Sequence, residues 1–242
     1  MVLKILGSSS KGNCYILECE EESLIIECGI PFIKIKKGLN FNLKKVVGCL
    51  CSHEHLDHSK SIKDVIKAGI PVYSSQGTFD ACGVKSNAMK HGEIYHVGGF
   101  KVIPFDTMHD CAEPFGFFIN HTETGNFIFA TDTYYLPNRF ENLSNIIIEC
   151  NYRLDILEDN IAQGKVSFAL RNRTLQSHMS FDTCKEALAA NDLSKVNNIV
   201  LIHLSDSNSN AKEFKDGIYY ATGKTVHIAE KGLCINFNKT PI

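Results

Sequence analysis

A chain of 242 residues, 44% hydrophobic and 21% charged, has the material for one large globular domain with a sizeable core. Its formal charge of −2 gives no overall attraction to nucleic acid or to an anionic membrane. A polynucleotide partner would need a local basic patch, for which Lys34, Lys36, Lys37, Lys44 and Lys45, or Arg171 and Arg173, are the candidates; taken alone, such lysines are a solvated face.

In chain order, residues 2–6 read as a strand ending in the small-residue loop Gly7-Ser8-Ser9-Ser10-Lys11-Gly12-Asn13. Residues 14–19 and 24–27 are two more strands around the acidic turn Glu20-Glu21-Glu22, and residues 31–45 contain a short helix. The apolar run over 46–51 is a buried strand that delivers Ser52-His53-Glu54-His55-Leu56-Asp57-His58-Ser59. The spacing of Ile62, Val65 and Ile66 predicts a helix over 59–68, stopped by Gly69-Ile70-Pro71. A brief strand over 71–73, a helix over 76–82 and a strand over 100–104 follow, the last running into Phe105-Asp106-Thr107-Met108-His109. Residues 115–120 and 126–130 form a hairpin around Glu123-Thr124-Gly125 whose second strand ends at Thr131-Asp132-Thr133. Residues 145–149 are a buried strand, and residues 153–173 are helical in character. Ser180 is the N-cap of a helix over 181–190, with Asp182 in its first turn. The apolar strand over 196–202 delivers His203-Leu204-Ser205-Asp206, and a helix over 211–220 precedes strands over 225–228 and 233–237. With no repeats and no Pro-, Gly- or Ser-rich linker, the expectation is a layered α/β architecture of one domain, residues 1–242.

Ten cysteines raise the question of a disulfide framework. Most of them fall in or beside apolar strand-like runs and none forms a Cys-x-x-Cys pair, which fits buried free thiols in a reducing compartment. The chain enters a strand at once, without the features of a signal peptide, and no apolar run approaches a membrane span. The expected location is the cytoplasm.

The segment 52–59 packs three histidines and two carboxylates into six positions. His53 and His55, two apart in extended chain, point the same way, while Asp57 and His58 turn the corner towards a second point. Imidazole and carboxylate donors suit zinc, and also manganese or iron. Strand ends deliver His53 and His55, His109, Asp132 and His203, and a helix N-terminus after Gln176-Ser177 delivers His178. A lone histidine is usually a plain surface or core residue. Five such deliveries along one chain reverse those odds, and if one sheet edge carries them all they converge on a single pocket.

In this order, from the Gly-Ser-Ser-Ser loop through His53-x-His55-x-Asp57-His58, His109 and Asp132 to His203, the chain resembles the metallo-β-lactamase superfamily over essentially its whole length. Within it, the YycJ (WalJ)-like branch is most similar, in that loop, in Ala130-Thr131-Asp132, in Leu170-Arg171-Asn172-Arg173 ahead of Ser177-His178-Met179-Ser180, and in His203-Leu204-Ser205 followed by Asn208. The resemblance implies an αββα four-layer sandwich with two divalent ions, zinc or manganese, at the edge of the paired sheets. It implies His53, His55 and His109 on the first ion, Asp57, His58 and His203 on the second, and Asp132 bridging. His178 is left over, in a His-x-Ser setting similar to that of a catalytic histidine of ribonuclease Z and its relatives. Two departures from the branch are Glu27, where Asp is usual before Cys28-Gly29, and Asn151-Tyr152-Arg153, where Asn-His-Asp is usual.

Two ions about 4 Å apart can clamp the attacking and leaving oxygens of an in-line displacement around a bridging hydroxide. Asp57 and Asp132 offset the cationic charge, and one of them orients the hydroxide. His178 would stabilise charge on a phosphate oxygen or protonate the leaving alkoxide, beside a helix N-terminus near Ser180 that favours phosphate. The expectation is therefore a dinuclear phosphodiesterase with Asp57 and His178 as catalytic residues, a 5′-to-3′ DNA exonuclease by resemblance to the YycJ branch. The rivals are a small-substrate enzyme opening cyclic nucleotides, a thioester, lactone or lactam hydrolase on the same fold, and a non-catalytic binding protein. His91, His96, His121 and His227 match no motif position and read as ordinary surface or strand residues.

Overall fold

The computed structural model describes residues 1–240; residues 241 and 242, the end of the expected domain, lie outside the described residues. The first half of the chain begins as an antiparallel meander of β1 (Val2–Gly7), β2 (Cys14–Glu18) and β3 (Ser23–Ile26). Crossovers through α1 (Phe32–Gly38), through α2 (Leu56–Ser59) and α3 (Ile62–Lys67), and through α4 (Gln76–Cys82) then add three parallel strands, β4 (Val46–Leu50), β5 (Val72–Ser75) and β6 (Asn87–Met89). The second half repeats the plan. An antiparallel run of β7 (Tyr95–Val97), β8 (Phe100–Asp106), β9 (Phe115–His121) and β10 (Gly125–Ala130) is followed by β11 (Leu143–Glu149) in parallel. Helices α5 (Leu154–Ala162), α6 (Phe168–Ser177) and α7 (Phe181–Ala189) lead to β12 (Asn198–Ile202), and α8 (Ala211–Thr222) leads to β13 (Thr225–Ile228), both strands again parallel. Finally β14 (Cys234–Asn236) crosses back to pair with β1. The sheet orders are β14-β1-β2-β3-β4-β5-β6 and β13-β12-β11-β10-β9-β8-β7.

Three apolar layers make this an αββα sandwich. Leu3, Ile5, Tyr15, Phe117, Phe129 and Val200 pack between the two sheets. Ile35, Leu39, Ile62, Val65 and Phe79 from the helices cover the outer face of the first sheet, and Cys184, Leu188, Phe214 and Ile218 cover that of the second. A strand at the centre of such a stack has no solvated face. Hence β11 is buried at every position, Ile147 facing one layer and Ile146 and Ile148 the other. Truncating an inter-sheet aromatic such as Phe129 removes a large buried surface and leaves a cavity, a loss of about 3–5 kcal/mol.

Strand direction decides where chemistry can sit. The strands β1, β3, β4, β8, β10, β11 and β12 all run the same way within their sheets, so their C-terminal ends open on one edge of the sandwich. Three residues just past those ends hold left-handed backbone without being glycine: Glu27 (φ 66°), Asp132 (φ 47°) and His203 (φ 54°). Such conformations are disfavoured for residues with a side chain and persist where surrounding contacts hold them. Gly29 shows how tight the edge is. A Cβ there would lie 1.6 Å from the Asp57 carbonyl oxygen.

Three expectations need correction. The helix expected over 59–68 is two short pieces and begins earlier, because the amides of His58 and Ser59 both donate to the His55 carbonyl; Asp57 and His58 therefore ride on α2. The helical stretch over 153–173 breaks at Gly164 (φ 69°), and α6 restarts with Ser167 as its cap, accepting from the Leu170 amide at 3.2 Å. His178 does not open a helix. It follows α6 in extended backbone, two residues before Ser180, which caps α7. Strands β6 and β7, three residues each at sheet edges, are too short to show a period and were not expected.

Candidate metal centre

The turn after β4 brings His53 and His55 to the edge, and the loop after β8 brings His109. His53 Nε2 and His109 Nε2 each lie 3.1 Å from His55 Nδ1. Nitrogens bound tetrahedrally to zinc at about 2.0–2.1 Å stand about 3.3 Å apart, so the three are spaced as donors to one ion. A second group consists of Asp57, His58, Asp132 and His203. Asp57 Oδ2 is 3.3 Å from both His58 Nε2 and His203 Nε2. Asp132 joins the groups: its Oδ2 is 3.4 Å from His58 Nε2, 3.4 Å from His109 Nε2 and 3.7 Å from His53 Nε2, and its Oδ1 is 3.7 Å from His203 Nε2. The donors thus form two overlapping clusters sharing one carboxylate, which fits a pair of divalent ions.

Four of the five rings in the two clusters have a polar neighbour on the far side. His109 Nδ1–H donates to the Ser177 carbonyl (2.8 Å), which leaves Nε2 as the free donor. Ser52 Oγ lies 2.9 Å from His53 Nδ1, and Glu27 Oε2 lies 3.2 Å from His58 Nδ1. The Asn151 amide is 3.1 Å from His203 Nδ1 and donates to the His203 carbonyl at 2.7 Å. Asn13, fully buried in the loop after β1, donates to the Asp57 carbonyl (3.1 Å), and Ser8 Oγ from that loop accepts from the His203 amide (3.0 Å). The Gly-Ser-Ser-Ser loop therefore braces the backbone on which the donors stand. Glu54, between the first two histidines, accepts from the Ala112 amide at 2.7 Å and so anchors the loop carrying His109.

The two clusters differ electrostatically. Burial and the neighbouring His58 push His53 well below the ordinary histidine range, and burial also lowers His109. Both are thereby neutral imidazoles suited to coordination. In the second cluster burial would lower His58 and His203, but Asp132 beside them reverses the sign, raising His58 well above its usual value and His203 to about 10. Asp132 itself is held well below the carboxylate range by His203 and His58 against its burial, and Asp57 is likewise held low by the same two rings. Anionic charge buried at the 3% exposed Asp132 suits a bound cation.

His178 stands beside the clusters with a partner of its own. Its Nδ1–H donates to Glu149 Oε1 at 2.7 Å, and Glu149, fully buried at the end of β11, also accepts from the amides of Thr133 (3.0 Å) and Met179 (3.1 Å). The two groups favour each other's charge against burial: Glu149 is held low and His178 raised. Asp132, Glu149, His178 and His203 form a third set of neighbouring donors. His178 stacks on His203 with ring centroids 5.4 Å apart and is far more exposed, 20% against 3%.

These residues open onto a cleft of about 490 Å³ whose walls include Ser10, Leu56, Asn151, Leu170, Arg173 and Asn208. Ser180 is not in its lining, so the start of α7 does not face the cleft as expected. The arginines offered as a basic patch are engaged: Arg173 Nε donates to Asp110 Oδ2 (2.8 Å) and Arg171 Nε to Glu158 Oε1 (2.7 Å). His91, His96, His121 and His227 stand outside all three donor sets. Glu149, Glu54, Asn13, Asn151 and Ser52 were not singled out from sequence. Glu54 and Ser52 lie within the segment 52–59, Asn13 ends the small-residue loop, Asn151 begins the departure from the branch, and Glu149 is a carboxylate closing an unbroken apolar strand.

A profile of the metallo-beta-lactamase superfamily matches residues 9–75. The chain is 28% identical over 229 residues to the exodeoxyribonuclease WalJ of Streptococcus pneumoniae, covering 86% of this chain and 83% of the relative. It is 26% identical over 234 residues to the exodeoxyribonuclease YycJ of Bacillus anthracis, covering 86% and 84%. Among solved structures, the metallo-beta-lactamase fold protein YhfI of Bacillus subtilis superposes with a TM-score of 0.75 at 16% identity over 97% of this chain and 98% of that one.

Proposed function

We propose that this chain is a metal-dependent hydrolase of the metallo-β-lactamase superfamily, and that it hydrolyses phosphodiester bonds, specifically as a 5′-to-3′ exonuclease on DNA. The observation that carries this reading is His178. Its Nδ1 is committed to Glu149 at 2.7 Å and its ring reaches the cleft from outside the two clusters that Asp132 joins.

In this reading His53, His55 and His109 would hold one ion and Asp57, His58 and His203 the other, with Asp132 available to both. The imidazole-rich donor set favours zinc, with manganese next. Two bound divalent ions would supply Lewis acidity towards a phosphoryl oxygen and lower the pKa of water. The protein's own groups do the rest. Asp57, 22% exposed to the cleft, orients the attacking water and takes its proton. His178 Nε2 donates to a non-bridging oxygen as charge develops and then gives its proton to the departing sugar oxygen as the P–O bond breaks. Glu149 holds that ring in place and favours its protonated form. Leu56 and Leu170, 76% and 50% exposed on the cleft walls, offer apolar faces to sugar and base. A cytoplasmic location accords with ten cysteines that are all free thiols; among the described residues no helix is long and apolar enough to cross a membrane.

The test is turnover of zinc- or manganese-loaded protein on end-labelled single- and double-stranded DNA beside a panel of cyclic mononucleotides. Stepwise loss from the 5′ end is the expected result. Ring opening with DNA untouched would transfer the chemistry to a small substrate, and silence on both would move the search to thioesters and lactones. His178→Ala is expected to retain about two metal ions per chain while turnover falls about 10²- to 10⁴-fold. Loss of the second ion instead would make His178 a ligand in place of His203.

A further inference from the structure

The catalytic cleft does not end at its own walls. Leu204 and Ser205, which follow His203, also line a second cleft of about 560 Å³ on the far side of the loop between β1 and β2. Ala211, Ile228 and Glu230 then line both that second cleft and a third, of about 460 Å³, along α8. The three clefts adjoin in series, each sharing lining residues with the next.

Their charge is opposite to that of the chain. Five lysines line the second and third sections, Lys11, Lys34 and Lys231 in one and Lys212 and Lys215 in the other, against two carboxylates, Asp206 and Glu230. The chain as a whole carries −2. All five lysines are exposed. Lys11 is bound to Asp206 at 2.6 Å within the second cleft, next to Ser10 of the catalytic cleft. Lys34, Lys231, Lys212 and Lys215 have no carboxylate within ion-pair distance among the described residues. This sets them apart from Arg153, Arg171 and Arg173, each of which is paired. Lys212 and Lys215, three apart on α8, present their charges on one helix face. Unpaired ammonium groups spaced along a concave path suit a ligand with repeated anions.

We propose that this series of clefts is a backbone-binding track for a single strand of nucleic acid whose scissile phosphate lies at the metal centre. The inference rests on the phosphodiesterase reading for its direction, and adds a site remote from the chemistry. One strand rather than a duplex is called for because Asp132 and His203, each 3% exposed, lie at the bottom of the cleft. Lys11, held by Asp206, stands where the strand passes from one section to the next.

The experiment is an anisotropy titration of a fluorescein-labelled oligothymidylate against chelator-treated protein over a range of salt, which needs no turnover. The quadruple variant K34Q/K212Q/K215Q/K231Q is compared with K36Q/K37Q/K44Q/K45Q, which removes the same charge from lysines outside the clefts. The cleft variant is expected to bind at least tenfold more weakly, with the slope of log affinity against log salt reduced by about 3. The control variant is expected to match the wild type. Equal losses in both variants, no loss in the cleft variant, or no binding by the wild type at low salt would each overturn the proposal. Turnover of bis(p-nitrophenyl) phosphate by the metal-loaded proteins reports the phosphodiesterase reading separately. It should be the same in all three, and its absence in the wild type would remove that reading whatever the titration shows.

Discussion

The two ends of the sandwich both bury polar side chains, and they satisfy them in opposite ways. At the end away from the metal centre, asparagines close on one another and on the backbone. Asn145, fully buried, donates to the carbonyls of Thr124 (3.1 Å) and Asn238 (3.2 Å), Asn198 donates to Asn145 Oδ1 (2.8 Å), and Asn197 donates to the Asn238 carbonyl (3.0 Å). These amides are neutral and their bonds are internal, so the cluster is complete and serves stability. At the metal centre the buried groups are Asp132, Glu149 and Glu27 among imidazoles, with left-handed backbone at Asp132, Glu27 and His203. That end is organised around charge, and its geometry is held by partners from several strands. A polar cluster that is neutral and bonded within itself is a fastening; one that is anionic, strained and ringed by imidazoles is a site.

Substitutions at the two ends should therefore separate activity from stability. The largest effect is expected at Asp132. Asp132→Ala should bring metal content below one ion per chain by elemental analysis and abolish turnover. Its melting temperature should no longer respond to a chelator, whereas chelation should lower that of the wild type. Two retained ions would break the bridging assignment. Next, Glu149→Gln should keep both ions and lower kcat about 10- to 100-fold with KM little changed, since it loosens the ring that acts rather than the substrate. A change in KM alone would assign Glu149 to binding. Asn145→Ala at the far end is the counterpart. It leaves buried partners unsatisfied at a loss of about 1–3 kcal/mol, read as a fall of several degrees in melting temperature with kcat unchanged. A fall in kcat there would mean that the ends are coupled. The smallest effect is expected at Lys11→Gln: removing an exposed ion pair should leave the melting temperature unchanged and weaken oligonucleotide binding only a few-fold.

Much of the frame was legible because it is written in local signals. The alternation and apolar runs of β1, β2, β10 and β11, the cap at Ser180 and the turn at Gly125 are each decided within a few residues. The dense segment 52–59 showed its donors directly, and the histidines and aspartate at the ends of other strands could be read as its company. Where expectation failed, local signals conflicted. The helical composition over 153–173 hid the break that Gly164 and Ser167 impose, and the helix over 59–68 gave way to the His55 carbonyl capturing two amides. His178 read as a helix opener because Ser180, two residues on, is a cap.

By itself the sequence determined the donor types, their spacing around His53 to His58, and which strands end in the other candidate donors. Those are properties of short stretches and of hydrophobic period. Only the tertiary structure decided which rings share the Asp132 carboxylate, and that Glu149 pairs with the Nδ1 of His178. It alone decided that Arg171 and Arg173 are neutralised by Glu158 and Asp110 while lysines at 11, 34, 212, 215 and 231 line two adjoining clefts. Pairing of charges and convergence of donors depend on distances between residues far apart in the chain, and those are settled when the two sheets close on their common core.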